Sequence, residues 1–177
     1  MDAYRCIVTK RDVRRYTETA IDRAALIQIL EAGRSSGSAR NRQPWQFVVV
    51  TDPSLLARLA RCGRFATHLA RARAGIVLTV DTPRALFDAG RCAQNLMLAA
   101  WSLGIASCPV TLQDDAEVRR VLGLPPEPVL ANAIALGYPD PRGRGRLERL
   151  ALAVVAHRGR KPLETLVHWN RHDDRAG

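Results

Sequence analysis

The stretch "SARNRQPWQFVVV", residues 38–50, sets two arginines, two side-chain amides and Pro44 directly before the apolar run "WQFVVV". A short apolar run bounded by turn residues reads as a buried strand, and Pro44 and Trp45 fix the entry of the chain into it. The polar loop at the mouth of that strand is the first candidate for chemistry.

Upstream, Ala3 to Thr9 reads as a short helix, followed by the basic loop "KRDVRRY" at residues 10–16. Asp22 caps a second helix, in which Ala25, Leu26, Ile29 and Leu30 share a face before Gly33 ends it. Downstream, a helix starts near Pro53 and runs through Leu55, Leu56 and Leu59, and "AGIVLTVD", residues 74–81, is a second buried strand. The longest helix spans residues 83–103, with Leu86, Ala89, Ala93, Leu96, Met97 and Ala100 on one broad apolar face and Gly104 as its stop, which makes it the expected core helix. "IASCPVTL" is a short strand that Pro109 is expected to break. A helix capped by Asp114 and stopped by Gly123 follows, and then the long strand "VLANAIALGYP". After it come the flexible basic segment "DPRGRGRLERL" and "HRGRKPLETLVHWNR", in which arginines again precede an amphipathic turn.

A chain of 177 residues with 47% hydrophobic content can bury one real core, so residues 1–177 are read as a single domain. The net charge of +10 attracts anions, whether nucleic acid, lipid or phosphorylated small molecules. Lys10 and Lys161 are the only lysines; an arginine-rich composition explains most of that bias, although arginine is also the residue that grips phosphate bidentately. Cys6, Cys62, Cys92 and Cys108 form no C-x-x-C pair, and the charged N-terminal stretch lacks the apolar run of a signal peptide, so a cytoplasmic protein with reduced thiols is expected. No apolar stretch is long enough to span a bilayer, which leaves the membrane out as a partner. Aromatic residues make up only 5%, which argues against nucleic acid despite "RGRGR".

No G-x-S-x-G, P-loop, H-E-x-x-H or G-x-G-x-x-G motif is present. His168 and His172 stand one helical turn apart, as metal ligands can, but with no third ligand nearby in sequence they read as a solvated face. Three arginine-bearing loops remain, at residues 10–16, 35–43 and 157–161, each beside an element end where backbone N–H groups are free. Taken singly, each is an ordinary basic surface; jointly they suit an anion such as a phosphate.

In order, "KRDVRRYT", "SGSARNRQPWQFVVV", "FDAGRCAQNLMLAAWSLGIASCPV", "ALGYP" and "RGRKPLETLVHW" resemble the nitroreductase family of FMN-dependent oxidoreductases over nearly the whole chain, with N-x-Q-P-W-x-F as the most specific piece. The resemblance implies an α+β, three-layer-like fold with a central, mostly antiparallel sheet flanked by helices, and a C-terminal arm exchanged in a homodimer. It further implies that Arg11 and Arg15, with the main chain of Asp12 and Val13, meet the flavin phosphate, ribityl chain and pyrimidine edge. Gly37, Ser38, Ala39 and Asn41 would lie against the flavin, Gly37 standing where the family has a proline. Pro109, Val110 and Thr111 would run along the isoalloxazine ring, and Arg158 and Arg160 would hold the phosphate. The implied activity is transfer of electrons from NADH or NADPH through FMN to a small flat acceptor, a nitroaromatic or a quinone, by a ping-pong cycle. Such a site needs no catalytic side chain, because the flavin carries the redox chemistry. Three other readings stay open: an FMN-storing protein with little turnover, a flavin-cannibalising or dehalogenating relative on the same fold, and a basic nucleic-acid binder.

Overall fold

The computed structural model describes residues 2–143 and 160–172. Four of its five α-helices begin where an aspartate supplies the acceptor that a helix N-terminus lacks. Asp2 accepts from the Arg5 N–H at 2.8 Å to open α1 (Ala3–Thr9), and Asp22 accepts from the Ala24 N–H at 3.1 Å to open α2 (Arg23–Arg34). Asp52 accepts from the N–H groups of Ser54 and Leu55 at 2.7 and 3.1 Å and starts α3 (Pro53–Leu59). α4 (Leu86–Ser102) has no side-chain cap and is entered through a 3-10 turn at Pro83–Ala85, so the helix expected from residue 83 begins with a tighter turn. Asp114 accepts from the Glu117 N–H at 3.0 Å to open α5 (Asp115–Leu122), which closes on Gly123 in the left-handed conformation (φ 64°) that glycine adopts without strain.

Among the described residues four strands, β1 (Trp45–Val50), β2 (Ala74–Val80), β3 (Ala106–Val110) and β4 (Val129–Gly137), form one sheet in the order β1-β2-β4-β3 with every neighbouring pair antiparallel. All of β2 is buried, because helices cover both faces of the sheet. Ile76, Leu78 and Val80 of β2 pack with Leu26 and Ile29 of α2 and with Leu96 and Ala100 of α4. On the other face Val77, Ala133 and Ala135 pack with Leu56 and Leu59 of α3, Leu69 of the 3-10 helix Thr67–Arg71, and Val118 of α5. This is the expected α+β, three-layer arrangement, with α4 as the core helix.

Two expectations are corrected: Gly33 does not end its helix, since α2 runs on to Arg34 with Ser35 as its C-cap, and Pro109 lies inside its strand. Pro109 does not break its strand; β3 runs through it to Val110, with Pro109 opposite Ile134. Among the described strands β3 is outermost, beside β4, and an edge position can spare the N–H that proline lacks.

Contacts divide the chain into two units, Met1–Pro141 and Arg142–Gly177. The described part of the second holds a 3-10 turn at Leu163–Thr165 and stacked His168 and His172 rings, 4.4 Å apart. Leu163, Leu166 and Trp169 are exposed there. Among the described residues no helix is long and apolar enough to cross a membrane, and no three His, Cys, Asp or Glu side chains gather as metal ligands.

Candidate functional site

The first basic segment is laid along the edge of the sheet by its main chain. The Val13 N–H donates to the Ser107 carbonyl at 3.0 Å, and Asp12 forms a parallel bridge to Ser107. Farther on, the Thr17 N–H donates to the Tyr138 carbonyl at 2.9 Å, and the Asp140 N–H to the Arg15 carbonyl at 3.1 Å. Tyr16 anchors the stretch: its ring is buried and its hydroxyl donates to the Val13 carbonyl at 2.6 Å, with the Ala135 carbonyl 3.4 Å away. Burial raises the pKa of that hydroxyl, which keeps it a neutral donor.

Around this segment the side chains are specifically engaged. Lys10 pairs with Asp12 and touches the Met97 sulfur of α4 at 3.5 Å. Arg11 donates from Nη1 to the carbonyls of Val8 and Lys10 at 2.8 and 2.9 Å, closing the C-terminal end of α1. Arg14 stands beside the buried Cys108 thiol, whose pKa burial nevertheless raises. His68 is 7% exposed; burial first, and then the Arg14 charge, lowers its pKa and keeps the imidazole neutral. Its ring hydrogen-bonds the Phe65 backbone, yet Nε2 has no partner, and neither has the Oγ of fully buried Ser107. Buried polar atoms without partners are costly and rare, and two of the four among the described residues lie beside this one segment.

The second polar loop holds a 3-10 turn at Ala39–Asn41, in which the Asn41 N–H donates to the Ser38 carbonyl at 3.0 Å and the Arg42 N–H to the Ala39 carbonyl at 3.2 Å, and side chains tie it to its surroundings. Arg40, Asn41 and Gln43 all adopt positive φ (54°, 53° and 50°), a region that disfavours side chains with a Cβ. Ser38 Oγ accepts from the Gln43 N–H at 2.8 Å, Asp88 of α4 accepts from the Ala39 N–H at 3.2 Å, and Arg42 pairs with Asp81 at 2.9 Å. A Cβ on Gly37 would lie 2.6 Å from Nη2 of Arg91, so the glycine admits that guanidinium where the family's proline would crowd it. Asn95 donates to buried Ser36 at 2.8 Å and ties the loop's start to the same helix. Trp45 is buried in the core and the Pro44 carbonyl accepts from the Asp81 N–H at 3.1 Å, which seats β1 directly after the loop.

Of the residues expected at the site, Asp12 and Val13 are brought to Ser107, two residues before the Pro109, Val110 and Thr111 run. Gly37, Ser38, Ala39 and Asn41 are fixed elsewhere on α4, through Asp88, Arg91 and Asn95. Asp88 and Met97 are nine positions apart, about 14 Å along the helix. Within one chain Lys10 and Ala39 therefore meet α4 at well-separated positions. Arg160 is exposed in the second unit, and Arg158 lies outside the described residues. The sequence reading passed over Arg14, His68 and Ser107. Arg14 stood in the quoted cluster, but His68 and Ser107 have no local signal, since only the fold carries them to residues 12–14.

Comparison with known proteins agrees with this architecture. A protein of Archaeoglobus fulgidus that carries the provisional name of an NADH dehydrogenase/NAD(P)H nitroreductase is 31% identical over 149 residues, covering 78% of this chain and 86% of its own. The NADH dehydrogenase of Thermus thermophilus is 28% identical over 209 residues, covering 96% of each chain. A Desulfovibrio desulfuricans protein whose crystal structure is a complex with FMN superposes with a TM-score of 0.79 at 27% identity, over 94% of this chain and 96% of its own. The description "Nitroreductase family" matches residues 7–77 and 62–138, more than half of the sequence, and the chain belongs to that family.

Proposed function

We propose that the protein is an FMN-dependent oxidoreductase that takes electrons from NADH or NADPH and delivers them to a small flat acceptor, a nitroaromatic or a quinone. The observation that carries this reading is the pairing of the basic segment with β3, where His68 Nε2 and Ser107 Oγ are buried without partners beside Asp12 and Val13. Orphaned polar atoms next to arginines fit a polar, anionic, planar group, so the residues present fit FMN.

In this mechanism Arg11, Arg158 and Arg160 hold the phosphate, and the main chain of Asp12 and Val13 follows the ribityl chain. Arg15 keeps a positive charge at the pyrimidine edge, where it favours the more negative, reduced state of the bound group. Pro109, Val110 and Thr111 lie along one side of the ring system, and Gly37, Ser38, Ala39 and Asn41 approach it from a second copy of the chain. The separation of the two loops on α4 supports that division, since a twofold dimer brings one copy's first segment to the other's second loop. FMN held by these residues would supply the redox chemistry, hydride acceptance from the nicotinamide and electron delivery to the acceptor in a ping-pong cycle. The whole chain is taken as one domain with its C-terminal unit as an arm reaching the partner, and the compartment as the cytoplasm, where the four buried cysteines stay reduced.

The test is the colour of the purified protein. Flavin absorption that denaturation releases as FMN, bleached by NADPH or NADH without oxygen and restored by a quinone, is the expected result. A protein that is colourless and cannot be reconstituted overturns the reading, and one that holds FMN but is not bleached is a flavin store.

A further inference from the structure

The turn between α3 and β2 exposes an aromatic ring that the flavin contacts do not use. Phe65 is 78% exposed, and the Arg64 guanidinium lies over its ring, 5.4 Å from the centroid. The pair does not sit on a loose loop. The Arg64 N–H donates to Gln113 Oε1 at 2.8 Å, and the Cys62 carbonyl accepts from the N–H groups of Gln113 and Asp114 at 2.7 and 3.0 Å. A Cβ on Gly63 would stand 2.3 Å from the Thr111 carbonyl oxygen, so the turn is seated directly against Thr111.

The charge around the ring is unbalanced. Arg61 and Arg64 are exposed, and among the described residues neither has a carboxylate at ion-pair distance. The nearby acids are engaged elsewhere: Asp114 caps α5, and Glu117 pairs with Arg120 at 2.7 Å. A rigid turn that holds an aromatic face and guanidinium groups in solvent offers a stacking surface for a base and positive charge for phosphates.

We propose that Phe65 and Arg64, with Arg61, bind the adenosine diphosphate half of the nicotinamide dinucleotide, the adenine against the Phe65 ring and the phosphates on the guanidinium groups. The proposal rests on the reading of Thr111 as flanking the flavin. A nicotinamide stacked there leaves the rest of the dinucleotide to extend over the adjoining turn.

The experiment uses the FMN-loaded protein with Arg64→Ala, Phe65→Ala and Phe65→Trp, all at exposed positions. ADP binding is measured by calorimetry, and KM is measured for NADPH and for reduced nicotinamide mononucleotide, which lacks the adenylate half. In the parent, ADP binds and competes with NADPH. Arg64→Ala and Phe65→Ala each weaken ADP binding and raise the KM for NADPH by about five- to tenfold, the size of a lost stacking or charge-assisted contact. The mononucleotide KM and kcat stay unchanged, and Phe65→Trp restores ADP binding. Equal ADP affinity in parent and variants, or an equal rise in KM for both donors, overturns the proposal. Failure of the flavin reading itself is seen separately, in a parent protein that neither donor bleaches.

Discussion

Residues 10–16 and residues 35–43 are both short, arginine-rich loops beside α4, yet they are joined to the rest of the fold by different means. The first is fixed by main-chain hydrogen bonds to Ser107 and, just beyond it, to Tyr138, with one buried ring as its anchor. The second has its own main-chain turn at Ala39–Asn41 but is tied down by side chains, namely Ser38 on Gln43, Asp88 on Ala39 and Arg42 on Asp81, and it carries three residues at positive φ. Where the backbone sets the path, surface side chains are free to vary for chemistry. Where side chains set it, changing one alters the loop itself.

The sharpest way to break this contrast is to remove the anchor. Tyr16→Ala is expected to cost about 3 to 5 kcal/mol, as for other large aromatic truncations in a core, while Tyr16→Phe, which loses only the hydroxyl and its bonds to the Val13 and Ala135 carbonyls, costs about 1 kcal/mol. Urea unfolding of the FMN-free protein measures both. A Tyr16→Ala variant within experimental error of the parent would show that the main-chain bonds suffice without the ring.

A smaller effect is expected at Arg11, which belongs to the backbone-fixed segment and is exposed. Arg11→Ala should weaken FMN binding by about tenfold, or roughly 1.4 kcal/mol. Its urea midpoint should shift far less than that of Tyr16→Ala, since only a cap on the carbonyls of Val8 and Lys10 is lost. Unchanged FMN affinity in equilibrium titration would remove Arg11 from the phosphate.

His68 adds a pH dependence to the same segment, because it faces Arg14 and Asp12. Burial, and then Arg14, lowers its folded pKa below the ordinary 6.5. The unfolded chain therefore takes up a proton that the folded one resists. Stability is full above 6.5 and is lost as pH falls from there toward the depressed folded value. His68→Gln should flatten this part of the stability profile of the FMN-free protein. The same slope with and without His68 would assign the dependence to another group.

The helices were legible because their signals are local. Asp22 and Asp114 each cap the helix that the sequence assigns to them, and Gly123 ends α5. Trp45 and the apolar run after it likewise gave β1, and the unbroken "AGIVLTV" gave a strand buried on both faces. What was not legible depends on which strand lies at an edge and on what long-range contacts bring together. Pro109 suits a β3 that is outermost among the described strands, and His68 reaches residues 12–14 only through the fold. The loop at residues 35–43 was read correctly as polar and fixed by Pro44 and Trp45. Its dependence on Asp88, about fifty positions away, has no trace in the local pattern.

The smallest expected effect tests the backbone difference alone. At a negative φ, glycine is less stable than alanine by about 0.5 to 1 kcal/mol, because the unfolded chain gains freedom. At φ near +54°, where Arg40 sits, alanine must bear the clash of its Cβ, about 1 to 2 kcal/mol, and glycine does not. The two terms oppose each other at position 40, and the steric one is larger. Arg40→Gly should therefore be more stable than Arg40→Ala by about 0.5 to 1 kcal/mol. Position 11, which is not among the positive-φ residues, should show the reverse order by a similar amount. Because each comparison is glycine against alanine at one site, the lost arginine contacts cancel, and urea midpoints of the four variants isolate the backbone. The same order at both positions would mean that the second loop relaxes out of its left-handed path once Arg40 is gone, so that its shape is even more a property of its side chains than the contacts at Ser38, Asp88 and Asp81 imply.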